Sequence, residues 1–235
     1  MRKWSTILLL LIGALIITRL LPFSSFFRML DTMVHEFGHA IATLMLSGHV
    51  ERIELNSDHS GVTYSALSSH WRLIVASLAG YPAASLFSVL LFYLYHKRKA
   101  VIGLIMLTAI AAVMLVFFVH SGYGVWWLVG FGVLNSVILL LGPKIQNIYY
   151  LMLAILALTE SFVSSLFLLV AAITQPSAAG DAANLQRLTG IPAVVWAVLF
   201  VAIALWCVRA GLQLLVRGRV ERRPDAASGR MSGSV

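Results

Sequence analysis

The sequence predicts an all-α polytopic membrane protein of about six to seven transmembrane helices with a small membrane-associated β-hairpin. Three observations predict it. Hydrophobic residues make up 60% of the 235-residue chain and charged residues only 11%, whereas a soluble domain carries about a quarter charged residues to coat its surface. Apolar runs of about 20 residues, the length that crosses a hydrocarbon core of about 30 Å, recur along the chain. One stretch, Gly48 to Ser69, breaks that pattern by alternating polar with apolar residues. This composition excludes a soluble enzyme, a disulfide scaffold and a disordered chain. The single cysteine, Cys207, lies in an apolar run and has no bearing on redox compartment. The formal net charge of +8 does not indicate nucleic acid, because most basic residues stand near the ends of apolar runs and in the C-terminal stretch, where lipid headgroups meet them.

The first element, Trp4 to Leu21, follows Arg2 and Lys3 as a signal peptide would, yet no small-x-small cleavage site comes after it, so it reads as an uncleaved anchor. The second, Met29 to Leu46, is unusual for a span because it holds Asp31, His35, Glu36 and His39. In the alternating stretch Ile53 and Leu55 flank Glu54, and Val62 and Tyr64 flank Thr63, on either side of the polar turn Asn56 to Gly61: a β-hairpin. Leu73 to Tyr95, Ala100 to Val119, Gly124 to Leu141, Ile148 to Ile173 and Ile191 to Val216 complete the spans. A polar interlude, Gln175 to Gly190, precedes the last of them, and irregular backbone is expected there, lining something at depth. Residues 1–216 thus form one membrane-embedded domain, and residues 217–235 a basic, disordered tail. Trp71, Trp126, Trp127, Tyr149 and Tyr150, near span ends, read as interfacial anchors. The positive-inside rule puts the Lys97-Arg98-Lys99 loop and the tail in the cytoplasm.

The chemistry is concentrated in Val34-His35-Glu36-Phe37-Gly38-His39-Ala40. Histidines at i and i+4 lie one above the other on a helix face, so both imidazoles reach one metal ion. The glutamate beside them points to where it can act on a metal-bound water as a general base. Chance gives this pattern about once in two hundred sequences of such composition. Ionisable groups within a span are costly, and by default they mark function. The other histidines, His49, His59, His70, His96 and His120, lie at loops or segment ends and need no metal.

A catalytic zinc takes three protein ligands and a water, so a third ligand is required. Among nine acidic residues, those of the hairpin and tail are badly placed. Asp31 stands one turn before His35 and about 12 Å of rise from His39, and it suits a hydrogen bond to His35 better than ligation. Glu160, mid-span, and Asp181, in the polar interlude, both remain as third ligand.

His35-Glu36-Phe37-Gly38-His39-Ala40, Ser47-Gly48 with the hairpin to Gly61-Val62-Thr63, and then Ala79-Gly80-Tyr81-Pro82 resemble the intramembrane metalloproteases of the site-2 protease family, in particular its short bacterial M50B-like branch. The resemblance covers Asp31 to about Leu91 and hardly touches the middle spans. The family's third ligand is an aspartate on a later helix in a Leu-Asp-Gly context, which this chain lacks. Gly180-Asp181-Ala182-Ala183, followed by Thr189-Gly190-Ile191-Pro192 and Trp196, resembles the branch's own version, and by that likeness Asp181 is the third ligand.

The expectation is therefore a multi-pass cell-membrane zinc metalloendopeptidase with His35, His39 and Asp181 on Zn2+ and Glu36 as base. Its partners are the bilayer and a membrane-protein substrate cleaved in or near a transmembrane segment, and no nucleic acid. Asn135 and Asn184 are candidate donors to the oxyanion. The hairpin would hold an unwound substrate by strand addition, while Gly80-Tyr81-Pro82 is also compatible with a simple turn at a helix start. Two rivals are a zinc-binding membrane regulator without turnover and a transporter that uses His35, His39 and Glu160 as a proton or metal path.

Overall fold

The structure, a computed structural model, describes residues 24–220, with side chains described over residues 25–215. The anticipated first span, Trp4 to Leu21, and everything after residue 220 lie outside the described residues.

Helix α1 (Ser24–Met45) is followed by β1 (His49–Leu55) and β2 (Gly61–Ala66), then by α2 (His70–His96), α3 (Ala100–Phe117), α4 (Tyr123–Leu140) and α5 (Pro143–Thr174). A 3-10 turn (Pro176–Ala178), the short α6 (Gly180–Thr189) and α7 (Ala193–Val220) complete the chain. Helices α2, α3, α4, α5 and α7 (over Ala193–Leu215) are long and apolar enough to cross a membrane. Helix α1 is not among them: Arg28, Asp31, His35, Glu36 and His39 interrupt it, and α2, α5 and the hairpin cover it. The last helix continues to Val220, into the stretch read as tail.

Helix α5 is the axis of the bundle. Its 32 residues span about 48 Å, and it touches α1, α2, α3, α4, α6 and α7. It begins with Pro143, whose missing N–H costs nothing in a first turn. Leu91, Phe92, Leu104, Leu107 and Phe131 form the main core with its own Tyr150. A second apolar cluster forms around α6, where Ala182, Ala183 and Leu185 bury against Leu168 and Ala172 of α5 and Ala197 and Phe200 of α7.

The polar interlude departs from the expected irregular chain. Residues 180–189 are helical because one face is apolar enough to be buried, and Gly190 ends the helix in the left-handed conformation (φ 75°), its N–H bonded to the Gln186 carbonyl. With Ala182 and Leu185 turned to the core, Asp181 and Asn184 share another face three residues apart.

The hairpin is antiparallel, with Ile53 opposite Thr63 and a bulge between Val50 and Arg52. Val50, Ile53 and Leu55 are buried, and Arg52 and Glu54 are exposed and paired at 2.8 Å. Asp58 shapes the turn by accepting bonds from the Ser60 amide (3.0 Å) and hydroxyl (2.7 Å), and these bonds hold its carboxyl below the usual carboxylate range. The tip is tied to α1 by the Thr32 hydroxyl, which donates to the His59 carbonyl at 2.8 Å.

Three of the five anticipated interfacial anchors are core residues instead. Trp127 donates its indole N–H to the Phe26 carbonyl (2.7 Å), Tyr149 its hydroxyl to Asn135 (2.9 Å) and Tyr150 its hydroxyl to the Leu91 carbonyl (2.9 Å). Each polar tip found a partner inside the bundle, so none needs the headgroup layer. Trp71 and Trp126 are exposed.

Candidate metal centre

One helical turn separates His35 from His39, and their rings meet edge to face with centroids 4.8 Å apart. Their Nε2 atoms are 3.1 Å apart. Asp181, brought in by α6, puts Oδ2 3.2 Å from His35 Nε2 and 3.1 Å from His39 Nε2. All three side chains are 11–16% exposed.

The proton inventory shows what this triangle lacks. His39 Nδ1 lies 2.7 Å from the Ala76 carbonyl, which can only accept, so Nδ1 carries the hydrogen and Nε2 of the neutral ring presents a lone pair. That lone pair faces a second imidazole nitrogen and a carboxylate oxygen, so electron-rich atoms converge at a point that calls for a cation. Edges of 3.1–3.2 Å correspond, in a regular tetrahedron, to bonds of about 1.9 Å, close to the Zn–N and Zn–O lengths of about 2.0–2.2 Å. Two nitrogens and one oxygen, with the fourth direction open to a cleft, fit a catalytic zinc.

The backbone of α2 makes room for these rings. A Cβ on Gly80 would come 2.5 Å from His35 Nε2 and 2.6 Å from His35 Cε1, so only glycine permits the approach. Gly80, Tyr81 and Pro82 lie in the interior of α2, not at a helix start. Pro82 removes one hydrogen bond inside this helix, a loss that polytopic bundles tolerate. The Tyr81 ring stands edge-on against His35 (4.6 Å, 87°) and stacks on Phe200 (4.9 Å, 23°).

Glu36 is 4% exposed and is held against the hairpin. Its Oε2 accepts from the Thr63 hydroxyl at 2.6 Å. Its Oε1 lies over Gly61, where a Cβ would come within 2.6 Å, and has no protein partner among the described residues. Glu36 shares with the triad a cleft of about 470 Å³ between α1, α2, α6 and β2. The Ile53 N–H bonds to the Phe118 carbonyl, outside the hairpin. By antiparallel alternation, Ile53 and Thr63 are a non-hydrogen-bonded pair, and the Thr63 N–H and C=O point to the outer edge of β2. Residues of β2 line the cleft.

Other candidates fall elsewhere. Glu160 pairs with Arg28 at 3.1 Å and is not in the triad. Asp31 lines the same cleft but accepts from Ser164 of α5 at 3.1 Å, and no hydrogen bond joins it to His35. Asn135 is buried on Tyr149, away from the cleft, while Asn184 lines it. Sequence reasoning missed the Ala76 carbonyl and the Thr63 hydroxyl as the groups that orient His39 and Glu36. A backbone carbonyl leaves no mark in a sequence; Thr63 was legible only as the polar position between Val62 and Tyr64.

No curated protein and no solved structure matches the chain. A family profile, Peptidase M50B-like, matches residues 6–211. With five helices able to cross a membrane and a His-His-Asp group able to hold a metal, this multi-pass integral membrane protein belongs to the Peptidase M50B-like family.

Proposed function

We propose that the protein is an intramembrane zinc metalloendopeptidase that hydrolyses a peptide bond in or near a transmembrane segment of another membrane protein. The observation that carries this reading is the meeting of His35 Nε2, His39 Nε2 and Asp181 Oδ2 in a triangle of 3.1–3.2 Å edges beside a carboxylate outside the ligand set. These three atoms would hold the ion. When bound, zinc supplies Lewis acidity, making water nucleophilic near neutral pH and polarising a carbonyl.

The chain's own residues do the rest. Glu36 accepts the proton of the attacking water at Oε1 and delivers it to the leaving amine. The Thr63 hydroxyl on Oε2 holds the carboxylate in one orientation beside the triad. The Ala76 carbonyl fixes the His39 ring. A helical substrate has its backbone groups bonded internally and must unwind to be cut; the outer edge of β2, unpaired by any strand among the described residues, suits an added extended strand. Glu160, tied to Arg28, stands apart from the histidines, which disfavours a transport path through all three.

The test compares wild type with Glu36→Gln, reconstituted in liposomes with a pool of synthetic peptides whose apolar cores contain glycine and serine, and reads products by mass spectrometry. The expected result is cleavage by wild type, a loss of about 10³-fold or more in Glu36→Gln, and one zinc per chain in both. Equal cleavage by both proteins overturns the role of Glu36. Full zinc occupancy without cleavage by wild type favours a zinc-bound regulator instead.

A further inference from the structure

A peptide carbonyl attacked by water develops negative charge on its oxygen, and hydrolytic sites place a hydrogen-bond donor there. Several of the cleft's polar groups are committed elsewhere, although Ser77 and the Asn184 amide are not. Thr32 donates to the His59 carbonyl, Thr43 to Ser65, Thr63 to Glu36, Ser60 to Asp58 and Ser164 to Asp31. The His39 Nδ1–H is held by Ala76, and Glu36 and Asp181 only accept when ionised.

Tyr81 differs from all of these. It follows Gly80, the residue that touches both imidazoles, and it lines the cleft with His35, Glu36 and Asp181. Its ring is clamped between His35 and Phe200, at 4.6 and 4.9 Å. Tyr81 is half-buried, and its hydroxyl makes no hydrogen bond to any of the described residues. A rigid ring carrying an uncommitted donor beside the metal ligands is built for something that arrives with the substrate.

We propose that Tyr81 is a further catalytic residue, its phenol O–H donating to the oxyanion of the tetrahedral intermediate; this rests on the peptidase reading above. As the water oxygen bonds to the carbonyl carbon, its proton passes to Glu36 and the carbonyl oxygen takes up the charge that Tyr81 stabilises. When the C–N bond breaks, the carbonyl re-forms and Glu36 hands the proton to the amine. Tyr81 transfers no proton. Its contribution exists only once charge has built up, so it raises kcat and leaves substrate binding alone.

The test is Tyr81→Phe, which keeps the ring and both of its contacts. Two readouts are needed: steady-state cleavage of one peptide from the synthetic pool, and equilibrium binding of a phosphinic analogue of that peptide, which mimics the tetrahedral oxyanion. Zinc content and thermal midpoint are measured alongside. The expected result is a 10²- to 10³-fold lower kcat with KM and zinc content unchanged, and a comparable loss of phosphinate affinity. Wild-type kcat and phosphinate affinity in Tyr81→Phe overturn the proposal, as does a defect confined to KM. So does a wild-type-like Tyr81→Phe alongside an Asn184→Ala that shows the kcat-only loss, which gives the donor role to Asn184. If wild-type protein neither cleaves the pool nor binds the phosphinate, the peptidase reading is what fails.

Discussion

Gly80→Ala adds one methyl at the point where α2 backs the His35 and His39 rings. The new Cβ would stand 2.5 Å from His35 Nε2 and 2.6 Å from Cε1, against a comfortable carbon contact of about 3.5–4.0 Å. The imidazole must therefore retreat by about 1 Å. It cannot do so freely, because Tyr81 stands edge-on against it. Metal bonds tolerate about 0.2 Å of misplacement, and small disturbances around a metal site typically cost about 10- to 100-fold in affinity. The helix itself gains from the change, since alanine is favoured over glycine by about 1 kcal/mol in a helix interior, and this offsets part of an overpacking cost of about 1–3 kcal/mol. The expectation is a protein that keeps its fold, with a metal-free thermal midpoint within a few degrees of wild type. Its zinc affinity, measured by competition with a chromophoric chelator, should fall at least tenfold, and cleavage should fall at least as far. Wild-type zinc affinity in Gly80→Ala would refute the assignment of those nitrogens as ligands.

Thr63→Val removes the hydroxyl on Glu36 Oε2 and should lower kcat about 10-fold with zinc content unchanged, as expected for a group that only orients the base; an unchanged kcat removes Thr63 from the mechanism. Glu160→Gln leaves Arg28 without its counter-charge and should destabilise the fold by about 3 kcal/mol, seen in detergent-solubilised thermal melts, yet retain one zinc per chain. Asp181→Ala should lose the zinc, and zinc loss in Glu160→Gln with zinc retained in Asp181→Ala would invert the two assignments. Stripping the metal with a chelator should lower the thermal midpoint, because an ion held only by the folded arrangement of His35, His39 and Asp181 stabilises it by mass action, and restoring zinc should raise it again; a midpoint insensitive to both counts against a bound ion.

Much of this architecture was legible in the chain. The spans from Leu73 onward fall on α2, α3, α4, α5 and α7, because apolar length is a strong local signal. His35 and His39 were legible because the helical period alone brings i and i+4 together. Asp181 is 142 residues from His39, and no local pattern reports such a contact; the polar interlude kept it as a candidate beside Glu160, and the family likeness singled it out. Helix α6 was hidden because Gly180, Asp181 and Asn184 read as loop, and its stability comes from burying Ala182 and Leu185 on α5 and α7. Trp127, Tyr149 and Tyr150 misled for a related reason: nearness to a span end suggests a headgroup position only when the polar tip lacks a partner inside, and here all three have one.

Zinc K-edge X-ray absorption on the loaded protein and on Asp181→Ala bears most directly on the claim that three residues hold one ion. Wild type should show one zinc per chain with a shell of nitrogen and oxygen near about 2.0 Å, multiple-scattering features of two imidazoles and no sulfur. Asp181→Ala should bind zinc weakly and lose one light-atom ligand. An identical spectrum in both proteins, or no stoichiometric zinc in wild type, would contradict the account.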